Sequence, residues 1–108
     1  MNLKIGNNMK VIWTNEAIQD TKSIFNYYKF RASIKVAKSI KDKILASTKS
    51  INKQTRKGRF EELLSHKNEE YRYLLTGNYK VIYKIIEEDI YIMKVFDCRR
   101  NPEIIKKM

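Results

Sequence analysis

The sequence predicts an α+β fold: a helical hairpin laid on one face of a four-stranded antiparallel sheet. Three observations carry this. Two amphipathic helical stretches stand back to back with only Arg31–Ala32–Ser33 between them. The hydrophobic period changes from about 3.6 to 2 beyond Gly58. Three short strand patterns then follow one another with turn residues between them. The order is strand, helix, helix and three successive strands, closed by a short terminal helix.

The first eight residues, "MNLKIGNN", are polar and end in a turn-like Gly-Asn-Asn; they read as an N-terminal extension to a single domain over residues 9–108. Met9 is an alternative start, and "MKVIW" is a first strand. Thr14 or Asn15 can cap the helix that follows, with Glu16 in its first turn opposing the dipole. Ala17, Ile24 and Tyr28 share one face of it, with Thr21 and Phe25 at the margin. Ser33 caps a second helix, whose stripe is Val36, Ala37, Ile40, Ile44, Thr48 and Ile51, with lysines around the rest. A link this short makes the two helices antiparallel neighbours.

"KQTRKGRF" ends the helix at Gly58, the residue expected at a left-handed C-terminal position. Glu70–Leu75 is then a strand and "TGN" a turn. Tyr79–Ile86 places Tyr79, Val81, Tyr83 and Ile85 on one face, and "EED" closes a hairpin. Ile90–Phe96 is apolar on both faces apart from Lys94, which suits a central strand. Asn101-Pro102 breaks the sheet and starts the last helix, Pro being favoured at a first helical position.

The 108 residues can bury roughly two-thirds of their unfolded surface. With 43% hydrophobic content, seven Tyr, four Phe and one Trp, they build a true core rather than a disordered basic tail. The net charge of +11 suits a polyanionic or acidic partner: nucleic acid, a ribosome or an acidic protein. Cys98 and His66 are the only residues of their types, so an intrachain disulfide, a Cys-based metal cluster and most His-centred hydrolase chemistry are excluded. No cofactor or metal is expected. There is no secretory segment or apolar run near 18 residues, which implies a cytoplasmic protein outside the membrane.

Cations are the chain's chief chemical resource. Arg56, Lys57, Arg59, Arg72, Arg99 and Arg100 are candidates for holding phosphate or a target surface, arginine's planar fork being matched to two phosphate oxygens. Metal-free RNA cleavage would also need a base for the 2′-hydroxyl proton. His66 lies in a polar loop, whereas Glu61 and Glu62 stand beside the cationic "RKGR". Arg72 on a strand is either turned to solvent or anchored. Arg99 and Arg100 follow the last strand, and only one of them can share a face with Arg72. Tyr27, Tyr28 and Tyr73 are candidates for base stacking or for core packing.

In "VIWTNEAIQDTKSIFNYY", "GRFEELL", "YRYLLTGNYKVIYKI" and "VFDCRRNPE" the chain resembles the RelE/ParE superfamily of bacterial type II toxins, over Met9 to Pro102. The resemblance implies a RelE/ParE-like fold and a growth-inhibiting toxin neutralised by a cognate, acidic antitoxin in a hetero-oligomer. It implies one of two activities. RelE-like and YoeB-like members cut messenger RNA on the ribosome without metal; ParE-like members poison DNA gyrase. Arg99 matches the arginine after the last strand of the nucleases, and Glu61 the glutamate base of YoeB-like members. Those nucleases carry a Tyr or His-Tyr shortly after that arginine, where this chain has Asn101, Pro102, Glu103 and Ile104. Arg72 in "YRYLL" fits the ParE-type R-x-L pattern, and the uninterrupted helical hairpin is ParE-like as well. The ParE branch is therefore the expectation, with ribosome-dependent RNA cleavage as the alternative and a non-toxic nucleic-acid- or protein-binding module behind it.

Overall fold

The structure is a computed structural model that describes residues 10–51 and 58–108. The elements run β1 (Val11–Trp13), α1 (Asn15–Arg31), α2 (Ile34–Ile51), β2 (Arg59–Phe60), a 3₁₀ turn (Glu62–Leu64), β3 (Tyr71–Thr76), β4 (Tyr79–Ile86), β5 (Asp89–Asp97) and α3 (Glu103–Lys106). The expected extension over residues 1–8 lies outside the described residues, as do Met9, Arg56 and Lys57.

The sheet has five strands in the order β1-β5-β4-β3-β2 and is mixed, which corrects the expected four antiparallel strands in two ways. β1 pairs with β5 in parallel, Val11 opposite Ile90 and Trp13 opposite Ile92. Arg59 and Phe60 add a two-residue strand against Tyr73 and Arg72. Both differences come from long-range pairing. The first strand leaves directly into α1, so its partner is set by where the helical hairpin returns the chain.

Thr14 makes that turn possible. Its Oγ1 accepts from the Ala17 N–H at 3.2 Å, capping α1, and donates to the Ile92 carbonyl at 2.8 Å. β1 ends here, so β5 loses its outer partner beyond Ile92. Asp20 on α1 replaces it, accepting the Val95 N–H at 3.0 Å. Ser33 caps the start of α2 through the Val36 N–H at 3.1 Å. Val36 itself is 41% exposed; the buried stripe of α2 is Ala37, Ile44, Thr48 and Ile51.

Both sheet faces are covered. Under the hairpin lie Ala17, Ile44, Ile51, Tyr79, Val81, Tyr83, Ile90, Ile92 and Val95, with Ile85 against them, as the alternation in β4 requires. The opposite face packs Leu64, Tyr71, Ile82, Phe96 and Ile105, so the 3₁₀ turn and α3 act as a second, smaller layer. β5 serves both cores because the register shifts by one at Met93: Ile82 faces Lys94, but Tyr83 faces Ile92. This bulge moves Val95 onto the face of Ile90 and Ile92, and Phe96 onto that of Met93.

Gly58 has no positive φ, unlike Gly77 at φ +58. It is required for space instead. A Cβ there would lie 2.6 Å from the Tyr73 carbonyl oxygen and 2.6 Å from the Tyr83 hydroxyl. Among the described residues α2 runs to Ile51, and Gly58 opens the segment into β2 rather than forming a left-handed helix stop.

Candidate target-binding surfaces

Arg72 is anchored. It stands opposite Tyr83 on the hairpin side of the sheet and is 9% exposed. Its Nη1 donates to the Gly58 carbonyl at 2.7 Å, its Nε to Glu70, and its guanidinium stacks 4.0 Å from the Phe60 ring centre. The planar fork thereby ties β3 to the segment entering β2. None of these contacts leaves the side chain presented to a ligand.

Glu61 lies on the other face of the sheet and is 5% exposed. Its Oε1 accepts the Leu63 N–H at 3.2 Å, capping the 3₁₀ turn. Oε2 forms a buried ion pair with Lys80 Nζ at 2.7 Å. The Lys80 ammonium also sits 4.3 Å from the centre of the Tyr73 ring. A cleft of about 860 Å³ opens here, with exposed Arg59, His66 and Lys106 at its margin. The sequence drew attention to Glu61 but not to Lys80, whose pairing is visible only once β2 and β4 lie on either side of β3.

Arg99 occupies a third place, at the far end of β5 against α1. Asp97 holds it by three bonds: the Arg99 N–H and Nε to Oδ1, both at 2.9 Å, and Nη2 to Oδ2 at 2.8 Å. Nη2 also reaches the Tyr28 hydroxyl at 3.4 Å, and Tyr79 donates its hydroxyl to Tyr28 at 3.2 Å. Just over half of the Arg99 side chain stays exposed, at 54%, beside the exposed Arg100. Together they edge a polar hollow of about 380 Å³ that also takes in Tyr27 and Asp20. Asp97, two residues before Arg99, was the missed signal: a strand-terminal Asp is well placed to bond its own backbone two residues on.

The electrostatics follow from these contacts. The Arg99 hydrogen bonds hold the Asp97 carboxyl below its ordinary 3.8 against the opposing effect of burial. The Tyr28 phenol is drawn below 10.0, first by the Tyr79 bond and then by Arg99, while burial pushes Tyr79 up. Because the folded value of Asp97 is the depressed one, its stabilisation is fully present above the unfolded value. It is lost as pH falls through the folded value. Replacing Arg99 with Gln is expected to return the Asp97 titration toward 3.8 and to raise that of Tyr28. Carboxyl and phenol NMR titrations read both, and unchanged values in the variant would contradict the clamp.

The three candidate catalytic side chains therefore do not converge. Glu61 lies on the face opposite Arg72 and Arg99. Arg72 is level with Tyr83, whereas Arg99 lies beyond the Tyr79–Asp97 pair. From Tyr79 to Tyr83 is about 13 Å of strand. Arg59 belongs with Glu61, Arg100 with Arg99.

A helical hairpin over a five-stranded mixed sheet, with polar surfaces split between two faces, defines a small α+β protein whose cations are dispersed rather than gathered around one centre. The family model of the ParE toxin of the type II toxin–antitoxin system, parDE, matches residues 11–102, and the chain belongs to that family. Among solved structures, a chain from the chromosomal ParDE TA system of P. aeruginosa has the same fold. It matches with a TM-score of 0.71 and 17% identity, covering 84% of this chain and 97% of that one. None of the curated proteins matches. No helix among the described residues is long and apolar enough to cross a membrane.

Proposed function

We propose that this chain is the growth-inhibiting toxin of a type II pair, acting in the cytoplasm on DNA gyrase and neutralised by an acidic cognate antitoxin. The observation that carries the choice of target is the dispersal of Glu61, Arg72 and Arg99. Metal-free RNA cleavage needs a base and phosphate-binding cations within a few ångströms of one reacting phosphate. Here the carboxylate and the exposed arginine are on opposite sheet faces, and the second arginine is engaged in holding the backbone. Family membership supports the toxin reading, and the structural kinship to a ParDE system supports an antitoxin partner. Arg99 and Arg100 form the contact surface for the target; Arg59 belongs to the separate far-face cleft, and Arg56 and Lys57 precede it in sequence.

Substituting Glu61 by Gln tests the choice. Glutamine keeps an acceptor for the Leu63 N–H but cannot act as a base. Induced cells are expected to stop dividing with this variant as with the parent. Loss of growth inhibition by a variant that melts like the parent would sink the gyrase reading and restore the nuclease one.

A further inference from the structure

The tip of the helical hairpin carries apolar side chains that the fold does not cover. Of the seven large hydrophobic residues exposed among the described residues, Tyr27, Phe30, Ile34 and Val36 fall within ten consecutive positions. Phe30 is 82% exposed and Ile34 56%. Tyr27 and Phe30 stand three apart near the end of α1, on one side of it, and only Ala32 and Ser33 separate α1 from Ile34, the first residue of α2. Cations surround this cluster. Between Asp20 and Asp42 the sequence has six lysines and arginines and no carboxylate. The Arg31 guanidinium lies 4.9 Å from the centre of the Tyr27 ring, and the Lys29 ammonium 5.7 Å from that of Phe30. Neither of them, nor Lys35, has a carboxylate partner among the described residues. The cluster is continuous with the Arg99 surface. Tyr27 lines the hollow beside Arg99 and Arg100, and its ring packs edge-on, 5.1 Å centre to centre, against Tyr28, whose hydroxyl meets Arg99.

We propose that the hairpin tip anchors the toxin on its target enzyme, Phe30 and Ile34 entering an apolar pocket whose rim carries carboxylates for Lys29, Arg31 and Lys35. This rests on the gyrase reading above and adds the surface that grips the target. A contiguous exposed apolar patch rimmed by charge marks an interaction site, and a large side chain seated in a pocket supplies most of an interface's binding energy. Arg99 and Arg100 alone would speed the encounter without holding it. Asp20 and Asp97 in the adjoining hollow select the kind of partner. They would repel a uniformly anionic surface, whether a bilayer or a nucleic-acid backbone, but suit a protein of mixed charge. A second copy of the chain would set the same cations against one another.

The test titrates the purified full chain against DNA gyrase, reading plasmid supercoiling and, by calorimetry, direct binding. Phe30→Gln with Ile34→Gln is expected to raise the half-inhibiting concentration and the Kd about tenfold or more. Both side chains are exposed, so the melt should match the parent's. Phe30→Leu with Ile34→Leu keeps the apolar character and should stay within about threefold of the parent. Leu75→Gln changes another exposed apolar residue, on β3, and should stay within about twofold. Lys29→Glu with Lys35→Glu is expected to weaken binding about tenfold at low salt and to flatten its salt dependence. Lys10→Glu with Lys107→Glu makes the same charge change elsewhere on the surface and should cost no more than about twofold. Equal weakening by both lysine pairs would reduce the effect to net charge and overturn the assignment. A glutamine variant that binds and inhibits like an active parent would overturn the anchor and leave the gyrase reading standing. A parent chain that neither binds nor inhibits gyrase would remove both. Binding to phosphatidylglycerol vesicles, or self-association, that the glutamine variant abolishes would assign the tip to a bilayer or to a second copy. Either result would overturn the proposal.

Discussion

Replacing Gly58 with alanine is expected to destabilise the fold by about 2–4 kcal/mol, which lowers the melting temperature by roughly 10 °C or more. The added methyl would lie 2.6 Å from the Tyr73 carbonyl oxygen, 2.6 Å from the Tyr83 hydroxyl and 2.9 Å from Tyr83 Cε1. Two of these atoms belong to a ring that is wholly buried, and the third to a strand backbone; neither is the free end of a flexible side chain. Moving Gly58 away would also stretch the bond its N–H donates to Tyr83 at 2.9 Å and the Arg72 bond to its carbonyl. Gly77→Ala is the natural comparison. Its positive φ penalises any side chain by about 1 kcal/mol, but nothing lies within 4 Å of the new Cβ. A Gly58 variant no less stable than the Gly77 variant, measured by urea or thermal unfolding, would show that the close approach is not there.

The second large effect separates two arginines that look alike in the sequence. Arg72→Ala removes a buried cation together with its bonds to the Gly58 carbonyl and Glu70 and its stack on Phe60. Breaking a buried charged contact from one side leaves its partner unsatisfied, and the expected loss is about 2–4 kcal/mol. Arg99→Ala removes a side chain that is 54% exposed and a solvent-screened pairing with Asp97, so it should lower the melt far less than the Arg72 change does. Toxicity should sort them the other way. Arg99→Ala is expected to lose growth inhibition while the protein stays folded, whereas the Arg72 variant loses it only in proportion to the protein that unfolds. Lowering the induction temperature should therefore restore activity to the Arg72 variant alone. An Arg99 variant that remains fully toxic would remove that residue from the target surface.

Much of the architecture was legible because it rests on local periodicity. β4 covers Tyr79–Ile86 as its alternation indicated, and Thr14 and Ser33 cap where their hydroxyls preceded apolar stripes. What stayed hidden depends on long-range pairing. A strand as short as Val11–Trp13 carries no sign of its partner, and its parallel register on β5 follows from the hairpin crossing the sheet. The Met93 bulge also escapes a strict period of two: Lys94 looked like an interruption in a two-faced apolar strand, yet it marks the place where the strand changes faces. The site was legible only as a set of residue types. Glu61, Arg72 and Arg99 each have definite partners, but their separation over two faces could not be read before the order of the strands was known. The residues that hold them, Lys80, Gly58 and Asp97, gain meaning from the same order.

Mapping transcripts and DNA breaks in the same induced cells tests the central claim most directly. A toxin acting through gyrase predicts intact messenger RNA, accumulating double-strand breaks and filamentous cells. Messenger RNA cut at codon boundaries on ribosomes, with unbroken DNA, would contradict it.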